Sequence, residues 1–159
     1  MNILYKAATQ NDIELITSIR VSLINEDSGL TECEKDTLFQ NNFSFMHEAM
    51  KAGQYFAFLA YYEEECVGTS GVCLYSVLPG KKLPKGKQAY IQNVYVSPEY
   101  RRKGIGMELI RLTVSKAIKM GHDRITLSAT EKGSALFKKC GFVNMPNVGL
   151  IDMEYTENN

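Results

Sequence analysis

The apolar positions change period several times along the chain, and each change marks an element. Residues 3–7 read as a short opening strand. Leu15, Ile16, Ile19 and Leu23 then recur at helical spacing and predict one buried stripe reaching about Asn25. Thr9 followed by Asp12 supplies a capping box at the start, the hydroxyl and carboxylate covering the first free amides. Thr31 with Glu34 repeats that signal for a second helix, expected to end near Gly53. The run Tyr55–Tyr62 is continuous and aromatic-rich, which predicts a strand buried on both faces. Glu63, Glu64 and Glu65 turn the chain into residues 66–77, the second half of an antiparallel hairpin. Pro79, Gly80, Pro84 and Gly86 make the next stretch a loop, with its lysines at a solvated tip. A fourth strand over 88–96 stops at Ser97-Pro98. Met107, Ile110, Val114, Ala117 and Ile118 mark an amphipathic helix ending at Gly121. A fifth strand is expected over 124–129, a short helix over 134–140 closed by Gly141, and a last strand over 150–156. The order is mixed α/β, one sheet with helices available for both faces.

Composition narrows the function. With 159 residues the chain makes one domain, 1–159, and needs no second core. A formal net charge of +0 gives no long-range field toward DNA, RNA or an anionic membrane, so any polyanion must be held by a local cluster. The longest apolar run falls well short of the roughly 20 residues of a spanning helix, and the first residues do not form a secretory signal. Cys33, Cys66, Cys73 and Cys140 stand apart, with no CxxC and no metal-ligand spacing. The expectation is a cytoplasmic protein with buried free thiols and no metal.

The local cluster is Arg101-Arg102-Lys103-Gly104-Ile105-Gly106, which follows a strand and opens a helix. Amides at a helix start lack intrahelical acceptors and lie at the positive end of the dipole. Glycines let that backbone approach a phosphate, and three adjacent cations add charge, so the segment reads as an anion site best suited to a diphosphate. Neither GxGxxG nor a GxxxxGK[ST] loop is present, which disfavours other nucleotide folds.

Val96, Pro98, Arg101, Gly104 and Gly106 form Val-x-Pro-x-x-Arg-x-x-Gly-x-Gly, which resembles the acetyl-CoA signature of the GNAT superfamily of N-acyltransferases. Leu136-Phe137-Lys138-Lys139-Cys140-Gly141-Phe142 resembles that superfamily's second motif. The order of elements, with two helices between the first two strands, is also similar, so the resemblance covers nearly the whole chain. Residues 127–133 further resemble a subgroup of small bacterial acetyltransferases, mostly of unassigned substrate. The implied fold is a central, mostly antiparallel sheet flanked by helices. The implied activity is acetyl transfer from acetyl-CoA to a primary amine of a small molecule or peptide, with no nucleic-acid or membrane partner. Related small acyltransferases often form homodimers.

Position by position, the resemblance implies that backbone amides from Arg102 through Lys103, Gly104, Ile105 and Gly106 to Met107 hold the CoA pyrophosphate. It implies that the main chain of Val94-Tyr95-Val96 pairs with the pantetheine arm, and that the amide near Val94 stabilises the oxyanion. The fourth and fifth strands splay in that family, placing Ala129 and Thr130 at the opposite wall. The chain departs from the pattern twice. Phe137 stands where a tyrosine often protonates the departing CoA, and Tyr90 stands where a glutamate often serves as base. Gln92 and Asn93 either hold a water chain for the amine's proton or merely satisfy backbone at the splayed edge. Glu26 continues the apolar stripe of the first helix, where it either binds an ammonium or acts as base through water, or turns to solvent at a frayed end. Missing both the tyrosine and the glutamate, the chain also reads as a non-catalytic acyl-CoA-binding or sensing domain.

Overall fold

The computed structural model describes residues 1–145, so the strand expected over 150–156 lies outside the described residues. In chain order the elements are β1 (Ile3–Ala7), α1 (Ile13–Ser28), α2 (Glu32–Lys51), β2 (Tyr55–Tyr62), β3 (Glu65–Ser76), β4 (Lys87–Val96), α3 (Ile105–Lys119), β5 (Arg124–Thr126) and α4 (Glu131–Lys139). The strands lie side by side in sequence order. Each neighbouring pair is antiparallel except β4 and β5, which run parallel with α3 as the crossover.

Both capping signals form. The Asp12 carboxylate accepts the Thr9 N–H at 2.8 Å and the Thr9 hydroxyl at 2.9 Å, over a short 3-10 turn that feeds α1. At α2 the Thr31 Oγ accepts the Glu34 N–H at 3.3 Å, and the Glu34 carboxylate accepts the Thr31 N–H at 2.8 Å. α1 runs three residues past the expected Asn25, to Ser28, where Gly29 at φ +63° ends it.

Helices cover both faces of the sheet, and β2 explains how. Tyr55, Ala57 and Leu59 pack with Ile13, Ile16, Met46 and Ala49 of α1 and α2. The alternate residues Phe56 and Ala60 pack on the other side, toward Ala117, Ile105 and Leu109 of α3. α3 docks through Ile105, Leu109, Ile110, Thr113 and Ala117. Met107 and Ile118, expected on the buried stripe, are 43% and 59% exposed. The buried line runs instead through Leu109, which lies against Gly68 on β3, where a Cβ would be 3.1 Å from Leu109 Cδ1. Thr113 lies on that line as a polar member, 3.0 Å from Ser70 Oγ, which hid the true stripe from an apolar count.

Two boundaries move. β5 ends at Thr126, and α4 begins at Glu131, with Thr130 Oγ accepting the Gly133 N–H at 3.2 Å as its cap. The cysteines are free, and Cys33 is exposed while Cys66, Cys73 and Cys140 are half-buried, so the expectation of uniformly buried thiols does not hold. Among the described residues no helix is long and apolar enough to cross a membrane.

Candidate active site

Two left-handed residues curl the chain between β4 and α3, Arg102 at φ +64° and Gly104 at φ +85°. The first intrahelical bond runs from Glu108 N–H to Gly104 C=O at 3.1 Å. The amides of Ile105, Gly106 and Met107 therefore have no acceptor within the helix. The space where a Gly104 Cβ would project is empty for 4 Å, so the start of the helix is open there. Gly106 serves packing as well, since its Cβ would lie 3.3 Å from Leu136 Cδ2 and 3.5 Å from Val96 Cγ2.

The three cations have different duties. Arg101 is committed to the protein: its Nε donates to the Val96 carbonyl at 2.8 Å, and its guanidinium lies 3.8 Å from Glu26 and 5.9 Å from the Tyr95 ring centre. Lys103 rests over the Tyr100 ring at 5.2 Å. Arg102 and Lys103 make no ion pair among the described residues, which leaves their charge for an anion.

Upstream, β4 offers an open edge. β5 pairs with it only at Gln88, Ala89 and Tyr90, so Ile91 to Val96 have no β5 partner among the described residues. At the vertex the Tyr90 hydroxyl donates to Ser128 Oγ at 2.8 Å. Across from β3 the register skips between Thr69↔Tyr95 and Gly71↔Gln92, leaving Asn93 and Val94 without Cα partners there. This is a β-bulge. Asn93 adopts φ +56°, is 5% exposed, and has among the described residues a partner for neither its amide nitrogen nor its amide oxygen. Asparagine tolerates that backbone region better than most residues. An asparagine inside a strand that is otherwise apolar on this face was the sequence signal for the bulge.

Other expected residues are placed as follows. Glu26 does not continue the buried stripe: its side chain is 49% exposed and faces Arg101. Phe137 is half-buried and packs edge-to-face on Phe142, with ring centres 6.0 Å apart. Thr130 caps α4. Among the described residues, no group of three or more His, Cys, Asp or Glu could hold a metal ion.

The residues missed by sequence reasoning lie on the α1/α2 face. Tyr55 is 4% exposed and its hydroxyl has no partner, and burial pushes its pKa well up. Thr69, fully buried, is likewise unpartnered at its hydroxyl. An unmade buried hydrogen bond costs about 1–3 kcal/mol. Tyr55→Phe is therefore expected to stabilise the ligand-free protein by about 1 kcal/mol, read as an upward shift of the thermal midpoint; an unchanged or lower midpoint would show that the hydroxyl is satisfied.

Comparison with known proteins bears on the family and the fold. Residues 21–142 match the model of the acetyltransferase (GNAT) family. A bovine (Bos taurus) thialysine N-epsilon-acetyltransferase is 32% identical over 60 residues, a stretch that spans 36% of this chain and only 35% of that enzyme. A predicted acetyltransferase of Clostridium acetobutylicum, solved with acetyl-CoA, superposes with a TM-score of 0.85 at 20% identity over 96% of each chain. A GCN5-related N-acetyltransferase of Ralstonia eutropha gives 0.82 at 22% identity over 98% of this chain and 99% of the other. Glucosamine-6-phosphate N-acetyltransferase of Arabidopsis thaliana gives 0.70 at 16% identity, over 99% and 100%.

Proposed function

The chain belongs to the acetyltransferase (GNAT) family and is an acyltransferase, and we propose that it moves an acetyl group from acetyl-CoA to a primary amine of a small molecule or peptide. The observation that carries the donor half is the curled turn at α3, with free amides, a clear space at Gly104 and two unpaired cations. A diphosphate fits these features, each charge-assisted contact contributing about 1.5–3 kcal/mol. The open edge of β4 from Ile91 to Val96 suits the amides of a pantetheine arm, with the main chain of Val94-Tyr95-Val96 as its partner. Thr130 and Phe137 form the facing wall in this reading.

Acyl transfer to an amine requires a neutral nucleophile, a polarised carbonyl and a proton for the leaving thiolate. The bulge at Asn93-Val94 frees backbone from the β3 ladder, and we assign the Val94 N–H to the developing oxyanion. Such a preorganised donor commonly contributes about 2.7–4 kcal/mol to the barrier reduction. The unpaired amide of Asn93, beside Gln92, holds water that takes the amine's proton as the C–N bond forms and passes it to the CoA thiolate as the C–S bond breaks. Tyr90, tied to Ser128, shapes the vertex where acetyl group and amine meet. Glu26 acts on Arg101, positioning the turn rather than removing a proton. The bovine relative and the plant neighbour are both named for acetylating amine-bearing compounds, which supports an amine acceptor here.

The test is release of CoA from acetyl-CoA in the presence of a broad panel of amines. Amine-dependent release with an N-acetyl product is expected. Tight acetyl-CoA binding with no amine-dependent release from any acceptor would count against transfer to amines.

A further inference from the structure

One cation near this site has no duty in acyl transfer. α1 packs on the sheet through Ile13, Ile16 and Thr17, each fully buried, and Arg20 comes next on that helical face. Its Nε donates to Asn42 Oδ1 on α2 at 3.0 Å, and Asn42 is itself held by donating to the Leu38 carbonyl at 2.8 Å. The guanidinium is thus oriented, the residue half-buried where α1 meets α2, yet no ion pair among the described residues includes it. Tyr55 and Cys73 face each other across β2 and β3 and pack in one cluster with Ile16 and Met46, which lie one helical turn from Arg20 and Asn42. Burial pushes both of these groups up, and the positive charge of Arg20 pulls both back. The Tyr55 ring occupies the notch left by Gly71, and its hydroxyl remains unpartnered.

We infer that Arg20, with the Tyr55 hydroxyl behind it, recognises a carboxylate carried by the amine acceptor. This rests on the amine-acetylation reading above. A guanidinium presents a planar fork that matches a carboxylate, and one oriented and left unpaired in a half-buried position is suited to receive one. The charge count favours a monoanion: one arginine and one neutral phenol balance a carboxylate, while a phosphate dianion would leave net negative charge in a half-buried space. The distance is also suitable. Cys73 pairs with Tyr55 on one side and with Tyr90 on the other, so these residues form one row across the sheet. Two strand spacings, roughly 10 Å, then separate the Tyr55 column from the Tyr90 vertex. A short chain carrying an amine at one end and a carboxylate at the other spans that gap. A tyrosine hydroxyl kept unpaired at a cost in stability fits a residue retained for a ligand.

The experiment is calorimetric titration of the CoA-loaded protein with β-alanine, γ-aminobutyrate and δ-aminovalerate, each against the n-alkylamine of matching length, with phosphoethanolamine as a further arm. At least one amino carboxylate is expected to bind about tenfold tighter than its amine. Arg20→Met should abolish that difference while leaving CoA affinity unchanged, and Arg20→Lys should keep part of it. Equal binding of carboxylates and plain amines by the wild type overturns the inference, as does a preference that survives in a folded Arg20→Met protein. Tighter binding of phosphoethanolamine than of every carboxylate overturns the assignment to a carboxylate. Because binding is read without turnover, carboxylate-dependent binding with no acetyl transfer would count against the amine-transfer reading and leave the subsite standing.

Discussion

Gly104→Glu is expected to weaken acetyl-CoA binding by at least ~100-fold, about 2.7 kcal/mol, while the protein stays folded. Two features of the turn lead there. Gly104 sits at φ +85°, a conformation that costs a side-chain-bearing residue about 1–2 kcal/mol. Its missing Cβ faces open space, so a glutamate meets no steric conflict inside the protein. The carboxylate instead enters the open space at the start of α3, next in the chain to the free amides of Ile105, Gly106 and Met107, and is expected to exclude a diphosphate by volume and by like charge. Gly104→Ala isolates the backbone cost: it should lower the thermal midpoint by a similar amount and keep much of the affinity. Calorimetric titration and thermal melts of the two variants separate these effects. A folded Gly104→Glu protein that binds acetyl-CoA as tightly as the wild type would remove this turn from the site.

Asn93→Val should lower kcat by about 100- to 1,000-fold, the range seen when an oxyanion donor is lost. Valine is a poor occupant of φ +56°, and the bulge can relieve that strain only by shifting register, which would carry the Val94 N–H away from its position. Acetyl-CoA affinity should change little, since the pyrophosphate turn at α3 is untouched. Asn93→Gly keeps the backbone conformation and deletes the amide. If the glycine variant retains most of the activity, the bulge geometry is what matters. If it falls as far as the valine variant, the side-chain amide carries the proton-relay role. Full activity in Asn93→Val, measured by CoA release under saturating acetyl-CoA, would exclude both.

Much of this architecture was legible in the order of residues. The capping pairs Thr9/Asp12 and Thr31/Glu34, the β2–β3 hairpin and the glycine-rich start of α3 all formed as expected, because each depends on neighbours within a few positions. The family resemblance rested on the same kind of local signal, a strand running into Arg101-Arg102-Lys103-Gly104-Ile105-Gly106. What tertiary structure decided are matters of long-range pairing. The buried line of α3 runs through Leu109, which meets Gly68 on another strand. β5 stops at Thr126, and the β4 edge beyond Tyr90 is left without a β5 partner. The bulge at Asn93 exists only in relation to the β3 register. Glu26 turned from a buried acid into a half-exposed partner of Arg101, a residue far along the chain, and Arg20, unremarkable in the sequence, proved to be held by Asn42 of α2 with no counter-charge among the described residues. Local spacing can place an amide turn on a helix, but which charges meet and which remain unpaired is settled only when distant elements pack.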